Sequence, residues 1–201
     1  MKKLLVAAAA MAISTGAIAG PSWTYVDLGA IIADGSNSED TTGLGLRGSF
    51  GFGDLWHIQA EVASFELNGG KGKCDLEEQE CGDVTTYVLR GGIHPAVTDD
   101  AQFVLDIGYQ GGEVKTRDED TSGKIKPSTY DIRGGYRQNI GALELRGFIS
   151  YARTDDDAGN KEWNIIPALG LQYNFSDAWS VGIDTEIEDD NQSDLYVRWS
   201  F

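Results

Sequence analysis

Residues 130–152, YDIRGGYRQNIGALELRGFISYA, hold the pattern on which the fold turns. Tyr130, Ile132, Gly134 and Tyr136 alternate with Asp131, Arg133 and Arg137. After Asn139-Ile140-Gly141 the alternation resumes, with Leu143, Leu145, Ile149 and Tyr151 set against Glu144 and Arg146. Period two on both sides of a short turn reads as two antiparallel strands, each with one apolar and one charged face. A soluble sheet buries the apolar face, whereas a barrel in lipid turns it outward.

The pattern recurs ten times. Besides stretches near 128–138 and 142–152, it appears near 23–32, 42–52, 55–65, 84–93, 101–110, 163–175, 178–187 and 193–201. Each is about the length a tilted strand needs to cross a bilayer. The connections alternate too: "GD", "HPAVTDD", "NIG" and "SD" are short, while "ADGSNSEDT", "ELNGGKGKCDLEEQECGD", "GGEVKTRDEDTSGKIKP" and "TDDDAGNKE" are longer, with "EDDNQ" the short member of that set. Short turns on one side and long loops on the other predict an all-β, transmembrane, antiparallel up-and-down β-barrel. Ten strands fit best and eight is the alternative. An even count puts both termini on the periplasmic side.

The start of the chain, MKKLLVAAAAMAISTGAIA, has two lysines, an apolar run and Ala17-Ile18-Ala19, the pattern of a signal peptide at residues 1–19. Removing it leaves residues 20–201 as the barrel and takes the net charge from −16 to −18, since Lys2 and Lys3 go with it. That charge argues against nucleic acid, whose phosphates need a basic face. Cys74 and Cys81, the two cysteines, share one polar segment. In an exported chain they read as a loop disulfide; a metal site is the lesser alternative, because two thiolates supply half a tetrahedron. No cofactor or resident metal is expected.

The outward face is almost free of charge. It includes Leu44, Leu46, Phe50 and Phe52; Trp56, Ile58, Ala60 and Val62; Phe103, Leu105, Ile107 and Tyr109; and Trp163, Ile165, Leu169 and Leu171. Aromatic residues gather at the ends beside the short turns, from Phe50 and Trp56 to Trp179, Trp199 and Phe201. Tyr109, Tyr130, Tyr151 and Trp163 mark the opposite ends, as two headgroup girdles would require. Pro167, inside the eighth stretch, lacks a ladder donor and predicts a bulge or local distortion.

The opposite parity collects Asp27, Glu61, Asp106, Asp131, Glu144, Asp184 and Glu186 against Arg47, Arg90, Arg133, Arg137, Arg146 and Arg198. Charges in a narrow space must pair, so the lumen is expected to hold a salt-bridge network. Inward glycines at 43, 45, 92, 108, 135, 170 and 182 leave gaps or relieve crowding. His57 faces inward without a nucleophile beside it, and His94 precedes Pro95 in a turn; neither position suits a catalytic base. Catalytic residues are therefore not expected. The outer loops carry Asp155, Asp156, Asp157, Glu188, Asp189 and Asp190, oxygen ligands suited to contact with divalent cations or to plain solvation.

WTYVDLGAIIAD, GLGLRGSFGFGDLWHIQAEVASFE, the hairpin quoted above and the ending DLYVRWSF together resemble the small outer-membrane β-barrel proteins of Gram-negative bacteria. They are broadly similar to the transmembrane domain of OmpA-type proteins, with more strands. The likeness implies that the terminal aromatic, Phe201 with Trp199 before it, is read by the barrel-assembly machinery. The protein is expected to be a monomer in contact with outer-membrane lipid and lipopolysaccharide. The likeness supplies no reaction. The expected function is non-enzymatic, contributing to envelope structure or surface interaction. The rival readings are a narrow channel for ions or small solutes and adhesion through the Cys74–Cys81 loop.

Overall fold

The computed structural model describes residues 22–33, 41–67, 81–117, 122–155, 161–188 and 191–201. Ten long strands form the barrel: β1 (Tyr25–Ala33), β2 (Thr41–Phe52), β3 (Trp56–Leu67), β4 (Cys81–Ile93), β5 (Ala101–Arg117), β6 (Ser128–Ile140), β7 (Leu143–Asp155), β8 (Lys161–Asn174), β9 (Trp179–Glu186) and β10 (Gln192–Ser200), with two short strands, Ala96–Thr98 and Ser122–Ile125, paired onto β5. Each long strand pairs antiparallel with its neighbours in sequence. β1 and β10 close the sheet in unbroken register from Tyr25↔Ser200 to Ala33↔Gln192. The barrel of ten strands leaves no lengthwise edge open, as a membrane demands of its strands. Among the described residues no helix is long and apolar enough to cross a bilayer.

Two turns depend on glycine. Gly53, between β2 and β3, has φ of 63°, and Gly141, between β6 and β7, has φ of 62°. Only a residue without Cβ takes that conformation at no steric cost, so these two positions allow the tight reversals.

The fifth strand departs from expectation. Residues 111–117, read from sequence as loop, extend β5 to 17 residues, and a short strand at Ser122–Ile125 pairs back onto 114–117. Clustered charges conceal the alternation of Val114 and Thr116, and β4, beginning at Cys81, supplies the partner that stabilises it. Pro167 causes no bulge. Its register with β7 runs through Pro167↔Ile149 unbroken, and on the other side the β9 ladder begins only at Ala168↔Glu186. The missing N–H therefore falls where the neighbouring strand has ended, and the Pro167 carbonyl still accepts from the Ile187 N–H at 2.8 Å.

Burial is inverted relative to a water-soluble protein. Leu28, Leu44, Ile107, Ile165 and Leu169 are each more than 60% exposed, whereas Asp106, Arg198, Glu144 and His57 are at most 1% exposed. An exterior of this kind is stable only where the surroundings are themselves apolar. Among the described residues the apolar interior cluster is small: Ile31, Ala63 and Phe65, with Val84 against it near the long-connection end. Rings mark both rims. Phe103 and Tyr136 meet edge to face at 5.4 Å near the short turns, and Tyr151 stacks on Trp163 at 5.0 Å at the other end.

The inward glycines are not gaps. Across the ladder Gly92 faces Asp106, Gly108 faces Asp131, Gly135 faces Phe148, Gly170 faces Asp184 and Gly182 faces Tyr196. A Cβ at any of these would strike the side chain opposite. Glycine on one strand thus seats a large or charged side chain from the next. Gly108→Ala should lower unfolding stability by about 1–3 kcal/mol, the usual cost of overpacking. Gly134→Ala, on the exterior with nothing within 4 Å of its Cβ, should not. Urea unfolding of both variants in lipid vesicles checks the difference.

Candidate functional site

The lumen is built from inward positions of all ten strands. Arg198 on β10 donates through Nε and Nη2 to both carboxylate oxygens of Asp27, at 2.7 and 2.8 Å, while its guanidinium lies 3.5 Å over the Tyr25 ring. Arg47 on β2 gathers carboxylates from three other strands: Glu61 at 2.8 Å, Asp184 at 3.1 Å and Asp194 at 3.0 Å. Arg146 reaches Asp184 at 2.8 Å and the Tyr196 hydroxyl, which itself donates to Gln172 Oε1 at 3.2 Å. Arg133 donates to Asp106 at 2.6 Å, and Arg90 makes a longer contact of 3.4 Å with Asp131. Some of these pairs join adjacent strands, as Arg133–Asp106, Arg47–Glu61 and Arg198–Asp27 do, and others reach past an intervening strand, as Arg47–Asp194, Arg146–Asp184 and Arg90–Asp131 do.

Arg137 and Glu144 form the layer nearest the short turns, with both guanidinium bonds at 3.0 Å. There the chain before β1 enters the mouth. Trp23, 7% exposed, has Arg137 4.4 Å over one ring face, and it stacks on His57 at 3.8 Å and His94 at 4.6 Å. Its indole N–H donates to Gln102 Oε1 at 2.7 Å. The main chain is pinned alongside, because the Thr24 carbonyl accepts from the Phe201 N–H at 3.1 Å and its hydroxyl accepts from the Gly51 N–H at 3.2 Å. An indole therefore forms the floor of the lumen.

His57 is buried with Nε2 2.9 Å from Asp106 Oδ1, within ion-pair range but out of line for a hydrogen bond of ordinary geometry. His94 does more than terminate a turn. It is 5% exposed, its backbone N–H donates to the Leu55 carbonyl at 2.8 Å, and its Nε2–H donates to the Trp56 carbonyl at 3.2 Å. The longer 94–100 connection folds its ring across the mouth, which a residue-by-residue reading of the turn could not show. Burial, set against that backbone bond, holds the His94 pKa below the ordinary histidine range.

Of the thirteen inward charges read from sequence, twelve lie in ion pairs: Asp27, Arg47, Glu61, Arg90, Asp106, Asp131, Arg133, Arg137, Glu144, Arg146, Asp184 and Arg198. Glu186 lines the same cavity without an ion pair among the described residues. Trp23, Tyr25, Gln172, Asp194 and Tyr196 were missed, although each shares the inward parity of its strand or continues it. Trp199 and Phe201 lie on the exterior at the closing strand, with ring centroids 4.8 Å apart. Cys74 falls outside the described residues, and the expected pairing with Cys81 falls outside with it. So do the signal segment at 1–19 and the acidic residues Asp156, Asp157, Asp189 and Asp190. Among the described residues no group of three or more metal-ligating side chains comes together.

A cavity of about 130 Å³ remains. Trp23 lines it at one end, Arg90, Arg133 and Phe148 in the middle, and Glu186, Gln192 and Asp194 at the other. That is room for a short file of waters.

A closed antiparallel barrel with an apolar exterior, aromatic rims and an ion-paired interior is a transmembrane barrel of the bacterial outer membrane, crossing it with every strand. The chain belongs to the outer membrane protein beta-barrel domain family, which matches residues 5–198. Among solved structures it is similar to the KdgM porin, with 11% identity, a TM-score of 0.50, and 88% of this chain and 99% of that one covered. It is also similar to Ail, the attachment invasion locus protein of Yersinia pestis, at 13% identity and a TM-score of 0.43 over 88% and 96% of the two chains. Neisserial surface protein A matches at 11% identity and 0.44 over 90% and 98%. The likeness to the KdgM porin shows the fold alone. No curated protein matches the chain.

Proposed function

We propose that the protein is a non-enzymatic outer-membrane barrel whose lumen is closed by its own side chains and whose acidic loops form its contact region at the cell surface. The observation that carries this reading is the lumen: ion pairs link its inward side chains at several levels and Trp23 covers its floor. A barrel meant for bulk solute flow would leave that space to water. The broad likeness to OmpA-type transmembrane domains supports the same reading. Export after cleavage behind Ala19, insertion read from Trp199 and Phe201, a Cys74–Cys81 disulfide and contact with lipopolysaccharide complete the proposal. It also holds that the protein acts as a monomer.

Planar-bilayer recording tests it. At neutral pH the wild type should be silent. Arg133→Ala removes the guanidinium that holds Asp106 and leans 4.5 Å over Phe148, so it should leak or unfold more readily. A conducting wild type at neutral pH, or an Arg133→Ala variant unchanged in both leak and stability, overturns the closed-lumen reading.

A further inference from the structure

We propose that Trp23 is a releasable stopper: acid in the periplasm unseats its indole from the His57–His94 pair and opens a narrow passage for small cations through the lumen. This goes beyond the reading above by making closure conditional. Three observations meet at this point.

The first is continuity. The cavity lined by Trp23 at its floor is the same one lined by Glu186, Gln192 and Asp194 at its outer mouth. The indole lies at the periplasmic end of that space, in one layer with Arg137, His57 and His94. It also lies outside the ladders, on residues 22–24 before β1, so it can withdraw without breaking a strand pair. Gly51 leaves room beneath it, since a Cβ there would lie 2.9 Å from Trp23 Cβ.

The second is the seat. His57 and His94 lie side by side against one indole face, with ring centroids 5.4 Å apart. His94 uses Nε2–H on the Trp56 carbonyl, so the nitrogen left to take a proton is Nδ1, which is buried with no hydrogen-bond partner among the described residues. The facing charges cannot receive it. Asp106 on β5 is held through Oδ2 by Arg133 on β6 and turns Oδ1 to His57 Nε2 at 2.9 Å, and Glu144 on β7 is held by Arg137 on β6. Beyond them Asp27 on β1 is held by Arg198 on β10, and Arg90 on β4 reaches Asp131. A proton on His94 thus adds an uncompensated charge beside His57, with the Arg137 guanidinium across the indole.

The sign follows from the direction of the shift. A histidine whose folded pKa is depressed supports the seat while neutral. That support is complete above the ordinary histidine range near ~6.5 and is lost as pH falls through and below it.

The third is the mouth. Glu186 and Asp194 stand at its outer end with Arg47 as the nearby cation, whereas the cavity as a whole is lined by four carboxylates and five arginines, so selection for cations rests on the mouth.

The experiment uses the full mature chain, folded and inserted in a planar bilayer under a potassium chloride gradient. Wild type should be silent at pH 7.5 and show cation-selective steps at about pH 5, with open time rising severalfold as the pH falls. Trp23→Ala should conduct at both pH values. Trp23→Leu serves if alanine prevents folding, as judged by heat-shifted gel mobility. His94→Gln should stay silent at pH 5. Silent, folded Trp23 variants at pH 7.5 overturn the stopper and leave the closed-lumen reading standing, whereas a wild type already open at pH 7.5 overturns that reading itself. Acid steps that persist in His94→Gln, or that favour anions, also overturn the proposal.

Discussion

Arg198→Ala should be the most damaging single change in the lumen, lowering unfolding stability in lipid vesicles by about 3–5 kcal/mol, the cost of leaving a buried charge unpaired. Arg198 is 1% exposed, grips both oxygens of Asp27 and lies over Tyr25. Its removal strands a carboxylate that is itself 2% exposed. The bond also lies across the β1–β10 seam, where Asp27↔Arg198 are directly paired, so the loss falls on barrel closure. Asp27→Leu with Arg198→Met removes both charges together and should recover most of the stability, because an apolar pair of similar size has no desolvation penalty. Urea titration followed by gel mobility reads both. A single variant within about 1 kcal/mol of wild type would mean that water reaches Asp27 freely, contrary to its burial.

Ile149→Arg should be nearly as costly and tests the exterior. Ile149 is 61% exposed and lies at mid-height on β7, between Gly134 on β6 and Pro167 on β8. On a water-soluble protein such a substitution changes stability by no more than about 0.5 kcal/mol. On the lipid face of a barrel, arginine at the bilayer midplane costs about 2–4 kcal/mol, falling to about 0–1 near the interface. Ser128→Arg, on the same face but beside the long connections, is the matched control. Equal, negligible effects at both positions would remove the argument from inverted burial.

Strand number, strand order and the outward residues were legible because period two is a local property of the chain. Leu143, Leu145, Ile149 and Tyr151 face one way whatever the rest of the molecule does. The extension of β5 was not legible. Glu113, Lys115 and Arg117 read as loop, and β4 supplies ladder partners along the strand as far as Arg117. The role of the inward glycines was half legible: each marked a small space, but what fills it comes from the adjacent strand.

The sequence by itself determined an antiparallel barrel of ten strands or eight, with ten the better fit, its lipid-facing surface and the set of charges confined within, because alternation and turn chemistry act over a few residues. Which arginine meets which carboxylate was decided only by tertiary structure. Arg47 reaches Asp184 and Asp194 across more than a hundred residues of chain, and cross-strand register and barrel diameter set those distances. The floor belongs there too. Trp23, His57, His94 and Arg137 stand far apart in sequence without a shared motif, and only closure of the sheet brings their rings and charge into one stack.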